Sequence, residues 1–131
     1  MGNLTITRLI NGSTRTLFAC IFFTGDLVNN ESSETDMHLE TYKMLKAPYG
    51  VYSCLGNHDY GDYKQWETPE AKEKNLQNLK DVHRDSGWRL LMNEHVPIEK
   101  DGQKIALLGI ENWGGNLLAH PNAKGRVIII F

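Results

Sequence analysis

The sequence predicts an α/β fold in which a βαβ unit, residues 17–59, is followed by a β-hairpin. Two short apolar runs lie on either side of a helix-prone segment, which is the pattern of two parallel strands joined by a crossover helix. Further along the chain, Asp101 and Gly102 separate two strand-like runs. An Asp-Gly pair in that position is a strong hairpin signal.

Both apolar runs are predicted to be buried strands. The first, residues 17–23, is aromatic-rich and does not alternate with polar residues, as expected for a strand covered on both faces. The second, residues 51–55, has the same character. Each run stops abruptly at a Gly-led loop, the first at Gly25 and the second at Gly56.

The segment between the two runs is predicted to be a helix from Ser33 to about Lys46. Ser33 and Asp36 approximate a capping box at its start. The Ala-Pro-Tyr-Gly sequence at residues 47–50 would end it, because proline and glycine interrupt helices.

A second helix has clear boundary signals. Thr68 can cap it, Pro69 occupies its first turn and Gly87 follows its end. The residues on one stripe of this helix are Leu76, Leu79 and His83. We therefore interpret His83 as a packing residue rather than a metal ligand.

The remaining chain is predicted to be mostly strand. Strand-like runs occupy residues 88–92, 96–99 and 104–110, with the hairpin turn at residues 100–103. A last apolar run, residues 126–131, has no polar exit. We therefore expect residues 1–131 to form a single but truncated domain.

The composition excludes several classes of protein. With 131 residues, 40% hydrophobic and 23% charged, the chain has the profile of an ordinary globular domain. Its 14 basic and 16 acidic side chains give a net charge of −2, which does not favour binding to nucleic-acid phosphates. No early apolar run approaches the roughly 20 residues that cross a bilayer, so we expect no membrane segment and, by default, a cytoplasmic location. Cys20 and Cys54 lie in apolar runs and are predicted to be free thiols.

The two Gly-led loops carry the residues suited to chemistry. Because the carboxyl ends of parallel strands lie at one edge of a sheet, we expect Asp26 and Asn57 to converge. Asp26 offers a carboxylate that can bridge two cations, and Asn57 offers a neutral amide oxygen. His58 can hold or give a proton near neutral pH, and we expect Asp59 to orient its imidazole. These groups predict metal-assisted hydrolysis, although either loop alone would also be explained as a tight turn.

Residues 23–29 (Phe-Thr-Gly-Asp-Leu-Val-Asn) followed by residues 55–59 (Leu-Gly-Asn-His-Asp) resemble the calcineurin-like metallophosphoesterase superfamily. Residues 57–63 are similar to its bacterial branch, whose full-length members are often membrane-associated. The resemblance implies a partial α/β/β/α sandwich of the metallo-dependent phosphatase type. It also implies a hydrolase that acts on a phosphate-ester substrate.

The resemblance further implies a role for each site residue. Asp26 would bridge two divalent metals, and Asn57 would bind the second metal and touch the phosphate. His58 would stabilise the phosphoryl charge or protonate the leaving oxygen, with Asp59 holding its imidazole. The nucleophile would be a metal-activated hydroxide. Oxygen and nitrogen ligands of this kind suit Mn, Fe or Zn.

Several motifs of the superfamily are absent from this sequence. No Asp-x-His precedes Asp26, no Gly-His-x-His occurs, and position 29 is Asn where the general pattern has Asp. The Asp-x-His at residues 36–38 falls inside the predicted helix, where residues two apart do not face each other, so we interpret it as unrelated. His120 follows Trp113 too closely to match the superfamily's strand-end histidine, and its role stays open.

Two hypotheses follow. The first is a portion of a two-metal phosphoesterase with several metal ligands missing, so that the isolated chain is expected to be weakly active or inactive. The alternative is a degenerate, non-catalytic binding domain that retains the scaffold. Flanking DNA that encodes Asp-x-His upstream and Gly-His-x-His downstream would favour the first hypothesis.

Overall fold

The computed structural model describes residues 4–10, 17–111 and 126–130. These residues form a four-stranded sheet and a three-stranded sheet. The strands are β1 (Leu4–Ile10), β2 (Leu17–Phe23), β3 (Val51–Ser53), β4 (Arg89–Leu90), β5 (Glu94–Lys100), β6 (Gln103–Ile110) and β7 (Arg126–Ile130). The helices are α1 (Leu39–Lys43) and α2 (Pro69–Asp85), and short 3₁₀ turns occupy Ser32–Thr35 and His58–Tyr60.

The first sheet has the strand order β1-β2-β3-β4. β2 and β3 are parallel, with Ile21 opposite Val51, and β3 and β4 are also parallel. The predicted parallel βαβ pairing is therefore confirmed. β1 pairs antiparallel with β2 along its whole length, and the sequence analysis did not predict this strand.

The second sheet contains the predicted hairpin. β5 and β6 pair antiparallel from Glu94 opposite Gly109 to Lys100 opposite Gln103. Asp101 and Gly102 both have positive φ, 51° and 74°, as a two-residue type I′ turn requires. β7 pairs antiparallel with the other side of β6, so residues 126–130 of the last apolar run form a strand.

The two faces of β2 are covered by different layers. Cys20 and Phe22 pack on one face against Ile105 and Leu107 of the second sheet. The alternate β2 residues belong to a second cluster on the opposite face, together with Val51 and side chains from the α1 region. The order of layers is therefore helix, sheet, sheet, which is consistent with a partial α/β/β/α sandwich and confirms the predicted fold class.

The predicted continuous helix from Ser33 to Lys46 is wrong. The chain instead makes the 3₁₀ turn Ser32–Thr35, and the five-residue α1 follows after a break. Buried Thr35 donates a hydrogen bond from Oγ1 to the carbonyl of Ser32 at 2.6 Å. Hydroxyl side chains compete with helical hydrogen bonds in this way, which explains why the helix does not continue.

The longest helix, α2, has its predicted boundaries. Thr68 Oγ1 accepts a hydrogen bond from the Ala71 N–H at 3.1 Å, Pro69 occupies the first turn, and Gly87 follows the end with φ of 80°. Leu79 and His83 on its inner stripe are fully buried. Within the part of the chain that the structure describes, no helix has the length and apolar composition needed to span a membrane.

Candidate functional site

The loops that follow β2 and β3 touch through two glycines. A Cβ atom on Gly25, whose φ is 95°, would lie 2.4 Å from the Gly56 nitrogen. A Cβ on Gly56 would lie 2.2 Å from Asp26 Oδ1. Neither approach leaves room for a side chain, so glycine is required at both positions for the loops to meet.

Asp26 is held against the loop that carries Asn57 and His58. Its Oδ1 accepts a hydrogen bond from the main-chain N–H of His58 at 3.1 Å. Asp26 has a φ of 57°, a strained conformation for a non-glycine residue that is often found at functional sites. The two loops therefore meet, with the Asp26 carboxylate at the junction, and the convergence of the Asp26 and Asn57 side chains on one cation stays a prediction.

Asp59 does not hold the imidazole as the sequence analysis expected. Its side chain is fully buried and accepts main-chain hydrogen bonds from both loops: from Asp26, Leu27 and Val28 at 2.9, 2.8 and 3.3 Å, and from Gly56 at 2.8 Å. Burial raises the pKa of Asp59 to about 6, while the main-chain donors act in the opposite direction. Asp59 therefore positions the two loops, and this corrects its predicted contact with His58.

The imidazole of His58 is held by a main-chain carbonyl. His58 Nδ1 lies 2.9 Å from the Asn29 carbonyl oxygen. A carbonyl only accepts, so Nδ1 carries the proton. Nε2 is then the nitrogen that can exchange a proton. Because Asn29 acts through its main chain here, this contact does not depend on whether position 29 is Asn or Asp.

The Asn57 amide contacts a tyrosine that the sequence analysis did not single out. Asn57 Nδ2 donates to Tyr63 Oη at 2.7 Å, and the Tyr63 ring packs on His58 with centroids 4.6 Å apart. Tyr63 is the last residue of the segment 57–63 that carries the resemblance, but its contact with Asn57 depends on how the turn folds and not on a local sequence pattern.

Glu34 is a second residue that the sequence analysis missed. Its carboxylate accepts main-chain hydrogen bonds from Asn29, Asn30 and Glu31, each at 2.9 Å. Partial burial opposes the effect, but these donors together lower the pKa of Glu34. Glu34 stands three residues after Glu31, which precedes the 3₁₀ turn, so capping-box spacing was the available signal. The capping box predicted at Ser33 and Asp36 therefore lies two residues too late.

The donor types on the two loops suit a divalent cation, although they are few. Asp26 supplies a carboxylate and Asn57 an amide oxygen, which are ligands that hard divalent cations take. Within residues 19–111, whose side chains the structure describes, no group of three or more His, Cys, Asp or Glu side chains could hold a metal. The chemistry of Asp26 and Asn57 therefore fits a cation, but the described ligands fall short of a complete coordination shell.

The other histidines behave as packing or surface residues where they are described. His83 Nδ1 lies 2.8 Å from Ser53 Oγ, and burial lowers the pKa of His83 to about 4, so His83 is neutral at pH 7. His95 lies in β5 and is exposed. His38, of the unrelated Asp-x-His, is also exposed, and His120 lies outside the described residues.

Comparisons with known proteins show which family and which relatives the chain is similar to. The sequence model of the family described as calcineurin-like phosphoesterase matches residues 13–125. The uncharacterized metallophosphoesterase YkoQ of Bacillus subtilis is 33% identical over 98 residues. That alignment covers 73% of this chain and 33% of YkoQ.

A shorter stretch is similar to a second type of protein. UDP-2,3-diacylglucosamine pyrophosphatase LpxG is 46% identical over 44 residues in Chlamydia trachomatis and 41% identical over 44 residues in Chlamydia muridarum. Each alignment covers 33% of this chain and 13% of LpxG. The chain thus spans a third or less of the curated relatives it matches. No solved structure matches it.

Proposed function

The chain belongs to the calcineurin-like phosphoesterase family, and we propose that it contributes a metal-dependent site for the hydrolysis of phosphate esters. The hydrogen bond from the His58 N–H to Asp26 Oδ1 at 3.1 Å supports this proposal most directly. It brings the carboxylate that follows β2 against the loop that carries Asn57 and His58. The members of this family generally use divalent metals.

In the proposed site, Asp26 and Asn57 hold a divalent cation through their side-chain oxygens. When bound, divalent cations polarise a phosphate ester and supply hydroxide from water near neutral pH. Mn, Fe and Zn all accept oxygen and nitrogen ligands. The remaining ligands are expected from residues outside residues 19–111, and longer relatives have room for them because YkoQ extends well beyond the aligned region.

His58 is the proposed proton donor and anion contact. The Asn29 carbonyl fixes the proton of the neutral ring on Nδ1, so Nε2 is the atom that takes up and releases a proton. A protonated His58 stabilises negative charge on a phosphoryl oxygen or donates a proton to the leaving oxygen. Asp59 and Glu34 accept main-chain hydrogen bonds from the loops and position them.

Hydrolysis by the full encoded protein, including any flanking sequence, tests this proposal. Bis(p-nitrophenyl) phosphate, p-nitrophenyl phosphate and a nucleoside diphosphate sugar should be assayed with Mn²⁺. The last substrate is included because LpxG is named as a pyrophosphatase. We expect metal-dependent cleavage of at least one substrate, and a loss of about 100-fold or more in Asp26→Asn and Asn57→Ala.

The matched control is Asp62→Asn, because Asp62 forms an exposed ion pair with Lys72. This variant should keep the wild-type rate. A folded full-length protein that cleaves none of these substrates with any divalent metal would contradict the proposal and favour the non-catalytic binding domain.

A further inference from the structure

Tyr63 contacts both the Asn57 amide and the His58 ring, and we propose that it is a positioning residue of the metal site. Its hydroxyl orients the Asn57 amide so that Oδ1 is presented to the cation, and its ring fixes the plane of the His58 imidazole. This inference rests on the proposed function, because it assigns Tyr63 a task within that site.

The Asn57 amide is oriented by its contact with the Tyr63 hydroxyl. Asn57 Nδ2 donates to Tyr63 Oη at 2.7 Å. The nitrogen and oxygen of an amide lie on opposite sides of one carbon, and only the oxygen can bind a cation. A hydroxyl that engages Nδ2 therefore directs Oδ1 away from Tyr63. In this orientation the NH₂ group is engaged by Tyr63, and the amide oxygen is the atom left to bind the cation.

The His58 ring is restrained by two contacts. The Tyr63 and His58 rings are 4.6 Å apart between centroids and inclined by 30°. The Asn29 carbonyl restrains the same imidazole at Nδ1. One contact fixes an edge of the ring and the other covers a face, so together they define where Nε2 points.

The turn around Tyr63 is anchored by Trp66 and Lys64. Trp66 Nε1 donates to the Gly61 carbonyl at 2.8 Å. Lys64 forms an ion pair with Glu31 and also lies over the Trp66 ring, 4.7 Å from the centroid. These contacts hold the backbone of the turn without help from the Tyr63 side chain. The Tyr63 side chain is therefore available to act on Asn57 and His58.

The exposure of Tyr63 separates this task from a role in the core. The residue is 63% exposed, so its ring buries little apolar surface on folding. A substitution at Tyr63 should therefore leave the urea midpoint of unfolding close to that of the wild type. A Tyr63 substitution that weakens Mn²⁺ binding but leaves the urea midpoint unchanged would indicate a positioning role.

Two variants separate the function of the Tyr63 hydroxyl from that of its ring. Tyr63→Phe removes the hydroxyl and keeps the ring, whereas Tyr63→Leu removes both. Tyr60→Phe is the matched control, because Tyr60 lies on the same loop and its hydroxyl contacts Glu111 at 3.3 Å.

The experiment measures Mn²⁺ affinity of the full protein by electron paramagnetic resonance of the free ion, and the His58 ring-proton shifts by NMR without metal. We expect Tyr63→Phe to weaken Mn²⁺ binding by about tenfold, within the range found for residues that orient metal ligands. Tyr60→Phe should stay within about twofold of the wild type. The upfield ring-current shift of the His58 protons should persist in Tyr63→Phe and disappear in Tyr63→Leu.

Two results would overturn the inference, and they can be told apart. If the wild type binds Mn²⁺ and Tyr63→Phe binds equally well, the role of Tyr63 is wrong while the proposed metal site stands. If the wild type does not bind Mn²⁺ at all, the proposed function itself fails and the task assigned to Tyr63 fails with it.

Discussion

The Oδ1 atom of Asp26 accepts a hydrogen bond from the main-chain N–H of His58 at 3.1 Å, although 32 residues separate them in the sequence. The bond links the loops after two parallel strands into one unit. A change that displaces either loop is therefore expected to disturb both the proposed cation ligands and His58.

Asp59 should contribute strongly to stability. Its carboxylate accepts four main-chain hydrogen bonds from the two loops, and Asp59→Ala would leave those buried donors unpaired. Unsatisfied buried donors cost about 1–3 kcal/mol each, and some of them will be hydrated after relaxation. We predict a loss of about 3 kcal/mol in the free energy of unfolding, measured with urea. Asp62→Asn, at an exposed ion pair, should change it by less than about 0.5 kcal/mol. Equal effects of the two variants would contradict the role given to Asp59.

Gly56→Ala should displace the Asp26 carboxylate. The added Cβ would lie 2.2 Å from Oδ1, so the loops must separate, at a cost of about 1–3 kcal/mol. The control is Gly87→Ala, where φ is 80° but nothing lies within 4 Å, which tests backbone strain alone. We predict that Gly56→Ala shifts the amide resonances of Asp26 and His58 in NMR spectra, whereas Gly87→Ala leaves them in place. Unshifted resonances in Gly56→Ala would refute the tight contact.

Glu34 should restrict the motion of residues 29–31, whose Asn29 carbonyl contacts the His58 ring. Glu34→Ala removes the acceptor for the N–H groups of Asn29, Asn30 and Glu31. We predict faster hydrogen exchange at these three amides, because each would lose its protein acceptor. Glu40→Ala, at the exposed pair with Lys43, is the control and should leave their exchange rates unchanged. Unaltered exchange in Glu34→Ala would show that the loop is held by other contacts.

His83 should make stability depend on pH in the acid range. Burial lowers its pKa to about 4 from an ordinary value of 6.5. As the pH falls below 6.5, the unfolded chain binds a proton that the folded chain excludes, so the free energy of unfolding decreases. The shift corresponds to about 3 kcal/mol lost by pH 4.

The measurement for His83 is the difference in free energy of unfolding between the wild type and His83→Gln, followed from pH 7 to pH 4. Taking the difference removes the contributions of other groups such as Asp59, whose raised pKa acts in the opposite direction. We expect any stability advantage of the wild type to shrink by about 3 kcal/mol across this range. A difference that does not change with pH would show that His83 is not buried in its neutral form.

The sequence predicted the parts of the fold that depend on local and periodic signals. The buried strand at residues 17–23, the start of α2 at Thr68 and Pro69, and the hairpin turn at Asp101 and Gly102 were all recognisable because each has its own residue pattern. The break in the predicted helix could not be recognised in this way. Helix propensity favours a continuous helix around Thr35, whereas the hydroxyl side chains compete with helical hydrogen bonds.

Only the part of the site that depends on where the two strands end was predicted from the sequence. Parallel strands place their carboxyl ends together, so the convergence of Asp26 with the Asn57 loop followed from topology. The partner of the His58 imidazole could not be predicted, because Asp59 and the Asn29 carbonyl compete for it and only the loop geometry decides between them. Tyr63 was missed for the same reason, since its contact with Asn57 depends on how the turn folds back.

A double-mutant cycle of Mn²⁺ affinity tests most directly whether Asp26 and Asn57 share one cation. The full protein, Asp26→Asn, Asn57→Ala and the double variant would be titrated under identical conditions. If both side chains bind the same ion, each single variant should lose about tenfold or more in affinity, and the double variant should lose much less than the product of the two effects, because the first substitution already disrupts the site. Fully independent effects, or single variants that bind Mn²⁺ as tightly as the wild type, would contradict the shared site.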